Sequence, residues 1–98
     1  MKSLKKLSVS FNCIRKIPVE IAQLRESLIH LNIGNNRIES LPRELFNLTN
    51  LRGLHIYNNH FTSFPVDFAK LDKLNEFSLD WFKFCQPILF QNLYTNTD

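Results

Sequence analysis

Glycine is scarce in this chain: 98 residues hold two, Gly34 and Gly53. They stand apart, which excludes the glycine-rich loop that cradles a nucleotide phosphate. Proline is also rare, and three of the four (Pro18, Pro42, Pro65) recur at near-equal intervals while Pro87 stands alone. No flexible linker follows from such a composition, so residues 1–98 read as one domain. The two cysteines, Cys13 and Cys85, are too few for a disulfide framework. No apolar run reaches the ~20 residues of a membrane span, and no signal-type hydrophobic segment opens the chain. Acidic residues fall short of basic ones by three. Five of the cations (Lys2, Lys5, Lys6, Arg15, Lys16) precede the first carboxylate, Glu20. They scatter over strand and loop positions. A nucleic-acid face would align them with aromatics between; here they read as a solvated surface.

The informative feature is a repeat. Leu28, Leu31, Ile33, Asn36, Ile38, Leu41, Pro42, Leu45 and Leu48 superpose on Leu51, Leu54, Ile56, Asn59, Phe61, Phe64, Pro65, Phe68 and Leu71 with a period of 23. The template is L-x-x-L-x-L-x-x-N-x-L-x-x-L-P-x-x-L-x-x-L. Leu4, Leu7, Val9, Asn12, Ile14, Ile17, Pro18, Ile21 and Leu24 fit it as well, at a spacing of 24, so one extra residue lies around 25–27. A fourth unit opens with Leu74, Phe77 and Leu79, and then has Phe82 where Asn is expected. The expected repeats are 4–27, 28–50 and 51–73, a partial one over 74–84, and an aromatic C-terminal cap over 85–98.

Within each unit the L-x-L alternation predicts a short strand with apolar residues inward. The Asn after it (Asn12, Asn36, Asn59) carries both donors and an acceptor to a turn whose backbone groups are otherwise unpaired. Proline then suits the first turn of a short helix or 3₁₀ segment. Stacking the units gives an α/β solenoid with a short parallel sheet on the concave side and these segments outside. Cys13 and Cys85 are then three strand steps of about 4.8 Å apart, roughly 14 Å, beyond disulfide reach. They read as free thiols, which favours an intracellular, cytoplasmic setting.

The pattern resembles the leucine-rich repeat family, and its L-P-x-x-[IL]-x-x-L segment is similar to the intracellular 23-residue class of Ras-suppressor, Erbin and Scribble-type proteins. The resemblance implies a noncatalytic module that presents a rigid concave surface to a protein partner in signalling or scaffolding. A small GTPase is a partner by family analogy, and no cofactor is implied. On that surface the outward candidates are Phe11, His30, Asn32, His55, Tyr57, Asn58, Ser78, Asp80 and Trp81. Aromatics of this kind are enriched among interface hot spots, although Trp81 is equally readable as part of the cap. Ser78, His55 and Asp80 include the residue types of a hydrolase triad, but an open sheet supplies neither an oxyanion hole nor a water-excluding pocket. His30, His55 and His60 lack metal-ligand spacing. The alternative reading is a structural segment of a larger protein or complex, packed through its ends and aromatic tail. The first strand, close behind Met1, has no capping element before it, so a longer array or a covered end is expected.

Overall fold

The computed structural model describes residues 3–62 and 66–80. Trp81, the rest of the partial repeat to 84, the cap expected over 85–98 with Cys85, and the template residues Phe64 and Pro65 lie outside the described residues. Within them, strands β1 (Lys6–Ser8), β2 (His30–Asn32), β3 (Gly53–His55) and β4 (Glu76–Ser78) form a parallel sheet in chain order. Three 3₁₀ segments, η1 (Val19–Leu24), η2 (Arg43–Asn47) and η3 (Val66–Lys70), connect the strands. The solenoid expected from the repeat is the observed fold.

Register follows the template. Leu7, Leu31, Leu54 and Phe77 form one inward row across the sheet. Leu31 and Leu54, in the inner strands, are essentially inaccessible, and so are Leu28, Ile33, Ile38, Leu45, Leu48, Leu51 and Ile56. Burying each such side chain contributes about 1.5–3 kcal/mol, which is how a unit with three-residue strands holds its shape. The extra residue of the first repeat sits in the turn over 25–27, so Lys6 pairs with His30 at a separation of 24 and His30 with Gly53 at 23. The insertion is absorbed before the strand begins, which preserves the inward row.

The outer segments are 3₁₀ rather than α for a reason visible in the spacing. Leu45 and Leu48, and likewise Ile21 and Leu24, are three apart, and three residues make one 3₁₀ turn, so both members point the same way. Prolines 18 and 42 stand just before their segments in extended conformation (φ −69° and −68°) and not in the first turn. Their carbonyls accept the first i+3 bonds, from Ile21 and Leu45 at 3.1 Å. Phe46 is buried although no template position calls for it. Its ring meets Phe68 edge-on at 5.3 Å, and Phe68 meets Phe77 at 4.6 Å, linking η2 and η3 to β4.

Candidate interaction face

Alternate residues of the four strands make up the outward face. One row runs Lys6, His30, Gly53, Glu76; the next runs Ser8, Asn32, His55, Ser78. Backbone pairing continues past the formal strands, for Val9 donates to Asn32, Ile33 to His55, Asn35 to Tyr57 and Ile56 to Ser78. The loop residues at the strand ends are therefore held in register.

Beneath this edge lies the asparagine ladder. Asn36 accepts from the backbone N–H groups of Asn12 (3.0 Å) and Ile14 (2.9 Å), and its amide donates to the carbonyls of Val9, Ile33 and Gly34. Asn59 accepts from Ile38 at 3.0 Å and donates to Ile33, Ile56 and Tyr57. Each side chain thus bridges its own turn and the one before. Asn12 departs from the expected role. It is exposed, and among the described residues its amide donates only to Ser10, within its own turn. The physical reason is positional: an asparagine bridges backward, and no described repeat lies behind the first.

The candidate residues fall into three groups. In the first, His55 Nδ1 and the Ser78 hydroxyl are hydrogen-bonded at 2.8 Å. The group at the other ring nitrogen is Glu76, at 3.7 Å, and not Asp80. Asp80, two residues past Ser78, accepts from the Asn58 backbone at 2.6 Å. The arrangement orients the imidazole but lies on an open sheet, where nothing among the described residues excludes water or stabilises a developing oxyanion. The His30 ring leans over Gly53 and approaches the point where a Cβ would stand. No three His, Cys, Asp or Glu side chains among the described residues are grouped to hold a metal ion.

In the second group, Tyr57 lies across Gly34. A Cβ on Gly34 would stand 2.8 Å from Tyr57 Cζ. Neither glycine has positive φ, so both are present for space and not for backbone freedom. Asn32 turns inward along its own strand end, its Oδ1 accepting from the Gly34 N–H at 3.0 Å, so it is less available to a partner than its outward position suggests. Sequence reasoning placed Tyr57 outward but missed its socket; the signal was that the two glycines occupy outward positions one strand from a large ring. Gly34→Ala is expected to displace the Tyr57 ring at a cost of about 1 kcal/mol, read as a change in Tyr57 ring-proton shifts with a small drop in melting temperature.

The third group is the rim. Phe11, Asn35 and Asn58 are equivalent positions with φ of 62°, 57° and 53°. Asparagine tolerates this left-handed region; phenylalanine rarely adopts it. Asn58 donates its side-chain amide to Asn35 at 2.6 Å. Phe11 instead projects its ring, 79% exposed.

Comparison with known proteins agrees with this geometry. A leucine-rich repeat family model matches residues 26–81, and a second one matches 3–24. The chain is 39% identical over 74 residues to the leucine-rich repeat and calponin homology domain-containing protein 1 of Mus musculus, covering 76% of this chain and 10% of that protein. It is 35% identical over 96 residues to the MAP kinase phosphatase with leucine-rich repeats protein 1 of Dictyostelium discoideum, covering 93% of this chain and 12% of that one. A solved leucine-rich repeat protein of Leptospira interrogans superposes with a TM-score of 0.69 at 28% identity, over 94% of this chain and 23% of its own. The chain therefore spans about an eighth or less of these two curated relatives. Among the described residues, no helix is long and apolar enough to cross a membrane. With period, ladder, sheet and superposition in agreement, the chain belongs to the leucine-rich repeat family.

Proposed function

We propose that the outward face of the sheet recognises a protein partner, with Phe11 and Tyr57 as aromatic anchors and His30, His55, Ser78 and Asn58 as the polar surround. Solenoids of this kind use their concave surfaces for binding, and the repeats are typically noncatalytic. The observation that carries the reading is Phe11. A large apolar ring stands in solvent on a left-handed backbone, at a position filled by asparagine in the next two repeats. Strained, exposed residues of this sort concentrate at ligand contacts. The ladder and the register hold the surface before the partner arrives, which reduces the ordering cost of binding.

The finer setting is intracellular signalling or scaffolding. Its supports are the exposed free thiol of Cys13 and a similar protein whose name joins such repeats to a MAP kinase phosphatase. Trp81 belongs to the same proposal by its place in the repeat. A small-GTPase partner rests on family analogy alone.

Phe11→Asn tests the reading because stability and binding should move in opposite directions. The variant relieves the left-handed backbone and is expected to gain about 1 kcal/mol, raising the melting temperature by some 4–8 °C. Cross-linking with the wild-type chain should capture a partner that Phe11→Asn and Tyr57→Ser fail to capture. Capture by these folded variants equal to wild type would move the interface off this face.

A further inference from the structure

The inserted residue of the first repeat has a structural consequence away from the concave face. The turn over 25–27 lies beside an open cleft of about 360 Å³, lined by Ser3, Lys5, Glu26, Ser27, Ile29, Asn50, Arg52 and Lys73. Three cations meet there, Lys5 from the first repeat and Arg52 and Lys73 from the third. Lys5 and Arg52 are held by the backbone ladder leading into the strands, in which Ile29 donates to Lys5, Arg52 to Ile29 and Asn75 to Arg52 at 2.7–2.8 Å. Lys73 donates to Asn50 Oδ1 at 3.0 Å, while the Asn50 amide donates to the carbonyls of Arg25 and Glu26. The ammonium is thereby tied to the inserted turn.

Ser27 adds an independent observation. Its Oγ is buried and finds no hydrogen-bond partner among the described residues. Such a hydroxyl is unusual and costs stability unless something else satisfies it. It belongs to a residue lining the cationic cleft, where Glu26 is the only carboxylate among the described residues.

We propose that this cleft binds a phosphomonoester, and that the phosphate belongs to a phosphorylated serine or threonine of a protein partner. A phosphoryl group carries a charge near −2 and three acceptor oxygens, enough to engage Arg52, Lys5 and Lys73 together and to accept from the Ser27 hydroxyl once that side chain turns outward. A single side-chain carboxylate offers less charge and two oxygens. A nucleic-acid strand would need a longer basic track with aromatics to stack on, and the described residues lining the cleft include no aromatic. The site lies at the strand entry, apart from Phe11 and Tyr57, so it stands or falls separately from the concave-face reading.

The test is NMR titration of the full chain with a short phosphoserine peptide, its unphosphorylated form, and inorganic phosphate at constant ionic strength. The phosphopeptide is expected to shift the amides of Ser27, Asn50 and Arg52 and to bind at least about tenfold more tightly than the unphosphorylated peptide. Inorganic phosphate should shift the same amides more weakly, since the peptide adds contacts. Arg52→Gln should weaken the phosphopeptide about tenfold or more. Ser27→Ala should weaken it several-fold without lowering the melting temperature, because the hydroxyl has no partner to lose. Arg37→Gln is the control. It lines a separate cleft on the side where the chain leaves the sheet, with Arg15, Lys16, Glu39 and His60, and should leave binding unchanged. Equal losses in Arg37→Gln and Arg52→Gln would overturn the site as nonspecific attraction. So would equal affinity for the two peptides, tighter binding of inorganic phosphate than of the phosphopeptide, or an unchanged affinity in Ser27→Ala.

Discussion

Replacing Asn59 with alanine is expected to destabilise the chain by about 2–3 kcal/mol, a fall of some 10–20 °C in melting temperature. The side chain is 1% exposed. Its Oδ1 accepts from Ile38, and its amide reaches the carbonyls of Ile33, Ile56 and Tyr57. Alanine would leave donors and acceptors of two successive repeats buried and unpaired, and desolvation without compensation is the costly outcome for polar groups. The informative comparison is Asn12→Ala, with the same residue type at the same template position. Its amide is exposed and donates within its own turn, so its loss should cost no more than about 0.5 kcal/mol. Urea denaturation of the two variants checks the ladder directly. Equal midpoints would mean that the asparagines contribute through propensity and not through bridging.

Leu54→Ala is expected to cost about 3–4 kcal/mol. Leu54 is fully buried and central in the inward row between Leu31 and Phe77. Domains of this size have only about 5–15 kcal/mol in total, so a large share of the stability goes with one side chain. The loss should also be local in character. Each repeat touches its neighbours alone, and a weakened interface uncouples the units on either side. Hydrogen exchange should show β2, β3 and β4 losing protection together, with a smaller change at β1. Leu7→Ala, partly exposed on β1, should cost less than half as much. A uniform loss of protection across all four strands would mean that the stack unfolds as one unit.

Much of this architecture was legible in the sequence because the repeat sorts residues by direction. Leu31 and Ile33 face inward while His30 and Asn32 face outward, since alternation on a strand leaves no other choice. Asn36 and Asn59 could be read as bridges because an amide is the side chain that offers donors and an acceptor at once. The 3₁₀ form of η2 was legible as an option, and the three-residue spacing of Leu45 and Leu48 is what that helix satisfies. The candidate face was legible as a set of outward positions. How those side chains engage one another was not. Glu76 rather than Asp80 stands at His55, and Asn32 bonds its own strand end.

Periodicity by itself determined which residues point inward, where each turn falls, and which family the chain belongs to, because those properties depend on spacing along one strand. The tertiary structure decided what depends on reach across strands. Tyr57 lies in the space left by Gly34, Phe46 is buried against Phe68, Asn12 stays exposed, and the Ser27 hydroxyl beside Arg52 finds no partner among the described residues. Each outcome depends on which residue of the neighbouring repeat arrives opposite. That neighbour is set by stacking and by the one-residue insertion, and the repeat template is the same whichever side chain stands there.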